Sequence, residues 1–513
     1  MNNSRTKNVL VNMWVGTFFQ IVSLVIGFAS RTIFIKILTA EYLGINSLFT
    51  NILTILSFAE LGIGNAIVFN LYKPLANKDE SKIKVLLKFY KKTYGLIGII
   101  ILLVGIGLIP FLPNLISEMP NIKENIYYIY IMFLCDTAIS YFFTYRTSII
   151  IADQKNYIVV RTVQIFKIFQ IIIQMIILYF THNYYLYLIL QLLNTLITFL
   201  FLSHKSKKIY PFTKNLGKEH LSKKEKQGIF KNVKALFINK FSSVILNGTD
   251  SIIISKYIGL VALGLYSNYL LLITAITQIL SQVLNSFTAS IGNLNTEDSS
   301  EKKEKIFNLL YYFTILVFGV IGICLYVLFN DFVTIWLGKD YLLSKLVVGA
   351  IVLHFYVNGV QFSSFTYRQT AGLFREYKYF PIFGAVLNIV LSIVLAKYIG
   401  LAGIFFATSI ARLATAGWID PTIVFKKIFN KSSKNYFIKY LYYLCVVFIS
   451  LFVTSFVANF IDATNIFLFI IKGIICVFVS TISLILFTIR TKEFKEIFNL
   501  IKNFTLKIFK AVR

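Results

Sequence analysis

The chain has 513 residues, of which 57% are hydrophobic and only 14% charged, with a mean hydropathy of +0.74. Soluble domains run at roughly 45–50% apolar and about 25% charged, so this composition excludes a soluble protein and predicts a polytopic membrane protein. The net charge of +29 fits either nucleic-acid binding or the Lys/Arg bias of inner membrane loops, and the placement of the charges has to decide between them.

A bilayer core about 30 Å thick is crossed by roughly 20 apolar residues in helical form. Fourteen such runs occur, at 11–38, 45–71, 90–112, 125–151, 157–180, 184–203, 233–257, 260–290, 306–330, 341–366, 377–399, 400–424, 437–461 and 464–489. The first follows Arg5 and Lys7, and Gly27-Phe28-Ala29 imitates a cleavage site. That run continues to Leu38 with no soluble domain behind it, so it reads as an uncleaved helix. The fold expected is all-α, with about 14 transmembrane helices in two pseudo-symmetric six-helix lobes plus two C-terminal helices. The corresponding domains are 1–204 for the N-terminal lobe, 205–232 for a basic cytoplasmic loop and 233–424 for the C-terminal lobe. Helices 13–14 follow at 425–489, and a basic tail at 490–513.

With the N-terminus inside, 39 of the 51 Lys and Arg residues fall in predicted inner segments and 6 in outer turns. This is the positive-inside pattern with both termini cytoplasmic. It accounts for the charge without nucleic acid. The tail places Phe494, Ile497, Phe498, Ile501, Phe504 and Ile508 at helical spacing, with lysines on the other side. That pattern suits a helix lying on anionic lipid headgroups. Cys135, Cys324, Cys445 and Cys476 lie in apolar runs without ligand-like spacing, and the four histidines do not cluster. No disulfide, metal or cofactor is therefore expected.

A shift of about 220 residues aligns KILTAEYLGIN at Lys36 with KYIGLVALGLY at Lys256, so that Leu43 meets Leu263 and Gly44 meets Gly264. Polar positions coincide too. Gln20, Ser23, Gly27 and Arg31 share one helical face, and Lys240, Ser243, Asn247 and Asp250/Ser251 take the shifted places. Thr54, Ser57 and Asn65 meet Thr274, Thr277 and Asn285. An even number of helices per repeat leaves both lobes in the same topology, related by an axis along the membrane normal.

Charges within spans are costly and tend to face protein or water. They are Arg31, Glu60, Asp136, Arg146, Lys167, Lys240, Asp250, Arg412, Asp420 and Lys472, with His354 a further candidate. Arg146 and Asp420 lie near predicted inner ends and read as snorkelling side chains; Lys472 lies outside the repeat and reads as peripheral. Arg31, Lys240, Asp250 and Arg412, with Gln20 and Asn247 beside them, are the substrate-binding candidates. Their guanidinium and ammonium donors suit a phosphate or pyrophosphate. Glu60, Asp136 and Asp250 are candidates for ion coupling or for ion pairs inside a lobe. Neither a phosphate-binding loop nor a catalytic triad occurs in a usable context, so the chain reads as a carrier and not an enzyme.

The run SRTIFIKILTAEYLGINSLFTNILTILSFAELGIGNAIVFNLYKPLANKD, Ser30 to Asp79, resembles the amino-terminal region of Wzx-type polysaccharide repeat-unit flippases of O-antigen and capsule assembly. These belong to the superfamily that also holds lipid II flippases and multidrug (MATE) exporters. The resemblance implies transport of an undecaprenyl-pyrophosphate-linked oligosaccharide across the bacterial cytoplasmic membrane, by alternating access of two lobes around a cationic cavity. It places Arg31 in that cavity, and other polysaccharide-assembly membrane proteins become possible partners. The alternatives are a lipid II flippase or a MATE-type antiporter. A membrane glycosyltransferase or polymerase is disfavoured by the short outer turns and by the lack of an acidic cluster in Lys205–Lys234.

Overall fold

The computed structural model describes residues 2–60, 63–217, 219–229, 248–297, 299–377, 379–500 and 502. Among them the regular structure is helical, and ten helices are long and apolar enough to cross a membrane. Their outer faces are greasy; Phe180 and Phe452, for example, are each 76% exposed. This is the reverse of a soluble surface. The protein is a multi-span membrane protein.

The chain forms two compact units, Met1–Gly264 and Leu265–Arg513. The first contains α1 (Asn2–Ile37), α2 (Ala40–Leu56), α3 (Ile63–Ala76), α4 (Glu80–Leu108), α5 (Ile126–Ala152), α6 (Asn156–Thr181), α7 (Tyr184–Ile209) and α8 (248–257). Here α1 packs along α6, while α5 packs against both α4 and α7. Helix α9 (Leu260–Glu297) begins in this unit. The second contains α10 (Ser300–Leu337), α11 (Lys345–Val360), α12 (Phe362–Thr370), α13 (Phe380–Ala414), α14 (Ala416–Lys427), α15 (Lys434–Ala458), α16 (Ile466–Thr488) and α17 (492–500). Here α10 packs against α11, α15 and α16, and α13 against α11. Asp79, Asn125, Asn183, Ser299, Ser344 and Asn465 each accept a backbone N–H at a helix start. They satisfy donors that have no partner within the helix.

Two predicted spans are broken. The 45–71 run is α2, a 3-10 turn at Ser57–Glu60, and α3. The Ser57 hydroxyl turns back to the Leu53 carbonyl at 2.8 Å, and the break carries Glu60 sideways into the unit instead of leaving it on a continuous helix. The 341–366 run divides at Gln361 into α11 and α12. The turn expected near residue 400 is present inside α13, where Gly400 has φ +60° and Ile399 is non-helical. A side chain at Gly403 would meet the Leu395 carbonyl oxygen at 2.3 Å, so the two halves of the hairpin touch through backbone.

The glycines that the repeat aligns also meet. Within the first unit, a Cβ on Gly44 would sit 2.1 Å from the Leu260 carbonyl oxygen, and one on Gly264 would sit 2.0 Å from that of Ala40. The starts of α2 and α9 therefore cross with backbone against backbone, as only glycine allows. In α17, Phe494 and Phe498 stack at 6.0 Å with Phe498 exposed. Ile501, Phe504 and Ile508 lie outside the described residues.

Candidate functional site

The first unit holds a polar seam where apolar helices meet. Ser23 Oγ on α1 donates to Gln164 Oε1 on α6 at 2.8 Å. Asn194 Nδ2 on α7 donates to Gln170 Oε1 on α6 at 2.8 Å, and Gln170 donates to Gln174 at 3.3 Å. Gln174 in turn donates to the Tyr187 carbonyl at 2.8 Å. Gln191 Nε2 donates to Asp136 Oδ2 on α5 at 2.8 Å, while Asp136 Oδ1 is buried without a hydrogen-bond partner. Arg31, half-buried on α1, has the Tyr187 phenol as an electrostatic neighbour. In an apolar surround each amide needs a partner; here the amides of α6 and α7 find theirs in one another, in Ser23 of α1, in Asp136 of α5 and in the Tyr187 carbonyl. Gly27 has open space over its Cα. Lys167, on α6 between Gln164 and Gln170, is exposed.

Glu60 occupies a separate cavity of about 530 Å³, lined also by Gly64, Tyr94, Thr144, Thr147 and Ser148. The Tyr94 hydroxyl donates to Glu60 Oε1 at 3.5 Å, and Tyr141 lies between Ser57 and Glu60. The cavity combines one carboxylate with hydroxyls from α4 and α5, an arrangement able to hold a proton or a small cation.

In the second unit, Arg368 on α12 and Asp420 on α14 form an ion pair at 2.7 Å, with the residues 4% and 1% exposed. The guanidinium carbon sits 4.0 Å above the Tyr377 ring and 5.5 Å from that of Phe365. Arg412 on α13 is an electrostatic neighbour of Tyr377 and of His354 on α11, Arg412 and His354 both being half-buried. Asp420 is therefore not a snorkelling side chain, because the packing of α12 on α14 closes over it and supplies its cation. Arg146 is not one either. It is 5% exposed, and its donors reach Thr213 and the Tyr145 hydroxyl. Lys472 is likewise not peripheral; its Nζ pairs with Asp331 of α10 at 2.8 Å.

Of the remaining predicted residues, Asp250 is half-buried on α8, two positions from Gly248, whose Cβ would touch Ile55 of α2 at 3.0 Å. Lys240 and Asn247 lie outside the described residues, as does the side chain of Gln20. The structure thus brings Arg31, Ser23 and Asp136 to one seam, Glu60 to its own cavity, and Arg412 beside a buried pair. Sequence reasoning passed over Arg368, Tyr377, Asp331 and the amides Gln164, Gln170, Gln174, Gln191 and Asn194. The i, i+4 spacing of Gln170 and Gln174 was the one available signal for the seam.

Comparison with known proteins matches this arrangement to one family. The model of the family described as "Polysaccharide biosynthesis protein" matches residues 33–346. No curated protein sequence matches significantly. Among solved structures, the lipid II flippase MurJ in an inward closed conformation is similar at TM-score 0.63 and 18% identity, covering 92% of this chain and 98% of its own. A multidrug resistance MATE family transporter of the MOP superfamily, inward-facing, gives 0.59 and 14%, covering 77% and 92%. A mutant of the Vibrio cholerae MATE transporter VcmN gives 0.55 and 12%, covering 84% and 99%. At such identities the likeness establishes the fold, while the family match extends over more than half of the chain. The chain belongs to the polysaccharide biosynthesis protein family and has the helical fold shared by MurJ and the MATE transporters.

Proposed function

We propose that this protein is a carrier that flips an undecaprenyl-pyrophosphate-linked oligosaccharide across the bacterial cytoplasmic membrane for cell-surface polysaccharide assembly. The observation that carries this reading is the half-buried Arg31, set in a seam of amides within an otherwise apolar helical bundle. An arginine within such a bundle is costly unless polar groups meet it, and its planar fork has donors enough for a protein neighbour and for phosphate oxygens together. Arg412 is the corresponding cation proposed for the second half, with Lys240, Asp250, Gln20 and Asn247 as further contacts. Alternate exposure of these groups to the two membrane faces would move the headgroup. Both termini are proposed to be cytoplasmic. Protonation and release of Glu60, in its hydroxyl-lined cavity, is the proposed coupling step, with Asp136 as a second acid.

The test is deletion of the gene, complementation and lipid analysis. Unflipped lipid-linked repeat units should accumulate on the cytoplasmic face, and wild-type protein should clear them. Arg31→Ala should reach the membrane in normal amount and fail to clear them. Full clearance by Arg31→Ala would remove that residue from the site, and an unaltered lipid-linked pool in the deletion strain would overturn the substrate class.

A further inference from the structure

A second cavity in the first unit has no part in the transport reading. His204, Lys207 and Lys208 at the end of α7, with Lys214, line a space of about 420 Å³. No carboxylate is among these lining residues. Lys214 is carried by the 3-10 turn Pro211–Lys214, and that turn is fixed from below. Nη1 of the buried Arg146 donates to the Thr213 carbonyl at 2.9 Å and to Thr213 Oγ1 at 3.2 Å. The carbonyl of Arg146 accepts from Ser206 Oγ, on the same turn of α7 as Lys207, at 3.0 Å. One residue, through its guanidinium and its carbonyl, thus holds both walls, so the lysines face a common space instead of splaying apart under their mutual repulsion.

The surface leading to this cavity is apolar. Leu193, Ile197, Leu200 and Phe201 are all exposed on α7; Leu200 and Phe201 each lie one turn beyond Ile197, so the four share a face that ends in His204 and Lys208. The stripe is the lipid-facing side of a membrane span, so acyl chains lie against it up to the edge of the lysines. A molecule with a phosphate head and acyl tails accounts for both. We infer that this cavity holds the headgroup of an anionic phospholipid of the Lys-rich leaflet, with its chains lying along the α7 stripe. Basic pockets between membrane helices on the cytoplasmic side are suited to such headgroups. The site is separate from the seam and does not depend on the transported substrate.

The experiment places the full chain in nanodiscs of phosphatidylcholine with a minor share of phosphatidylglycerol, then counts the lipid retained after detergent transfer by native mass spectrometry. Wild-type protein should retain phosphatidylglycerol in preference. A near-surface lysine is worth about fivefold in such binding, so Lys207→Gln/Lys208→Gln/Lys214→Gln should reduce retention by more than about tenfold. The matched variant Lys91→Gln/Lys92→Gln/Lys426→Gln, which alters no residue lining the cavity, should reduce retention clearly less than the cavity variant does. Should the triple variant fail to elute monodisperse, Lys214→Glu alone is read instead. Inorganic phosphate is the competing probe and should displace the lipid only weakly. Equal retention by wild type and the cavity variant overturns the inference. Ready displacement by inorganic phosphate overturns it too, leaving a free-anion site.

Discussion

Removing Arg368 by Arg368→Ala leaves the Asp420 carboxylate 1% exposed and without the cation now 2.7 Å away. Loss of one partner of a buried pair costs about 3–5 kcal/mol, because the remaining charge can neither be solvated nor matched. Replacing both partners by apolar residues of similar volume, as in Arg368→Met/Asp420→Leu, is close to neutral or stabilising. Asp420→Ala should be the milder single change, since the guanidinium still lies over Tyr377 and Phe365. The assay is thermal midpoint in detergent, followed by size-exclusion fluorescence, for wild type, both single variants and the double variant. Each single variant should melt several degrees early, and the double variant should recover most of the loss, so that the effects of the two positions do not add. Single losses that add, with each below about 1 kcal/mol, would refute the reasoning and show that water reaches the pair. Export by the double variant then reports whether the pair does more than join α12 to α14.

Gly44→Ala and Gly264→Ala should each lower the melting midpoint by the equivalent of about 1–3 kcal/mol, as overpacking does, because the added carbon meets carbonyl oxygens at 2.1 and 2.0 Å; a shift near zero would mean the crossing is looser than described. Glu60→Gln should slow export with little loss of protein in the membrane, and export that stays at the wild-type rate would take Glu60 out of the coupling step. Glu225 is held down to about 2 by its bonds to Lys82 and Ser222, so the attachment of its loop to α4 is complete above pH about 4.5 and fades as pH falls toward about 2. The pair is exposed and worth only about 0–1 kcal/mol. Pepsin cleavage within 210–229 should therefore accelerate modestly over that fall in pH, and Glu225→Gln should remove the dependence; identical profiles would discount the pair.

Ten membrane-length helices among the described residues, and the turn at Gly400, were legible because hydrophobic runs and a glycine between them are local signals; most of the expected 233–257 span lies outside those residues. The duplicated KILTAEYLGIN and KYIGLVALGLY runs singled out Gly44 and Gly264 as equivalent positions, but not that they touch, which depends on how α2 and α9 cross. The break at Ser57–Glu60 was not legible, since SFAE carries neither glycine nor proline to end a helix, and Tyr94, which meets Glu60, lies on another helix. Arg368 was hidden by its neighbours, which read as an inner loop, and Asp420 and Arg146 by their nearness to helix ends. Whether such a charge snorkels or pairs depends on a side chain many residues away. The seam was missed for a related reason: uncharged amides cost little in any one helix, and only the contact between α6 and α7 makes Asn194 and Gln170 a unit.

The Lys472–Asp331 contact bears on how this molecule is made. An ammonium arriving in hydrocarbon by itself faces a barrier of at least about 2.5 kcal/mol, whereas one arriving beside a waiting carboxylate does not. Synthesis delivers Asp331 first, on α10, and Lys472 more than a hundred residues later. The cation of α16 is therefore matched by a carboxylate that the chain already holds, and the pair spares Lys472 the cost it would meet alone.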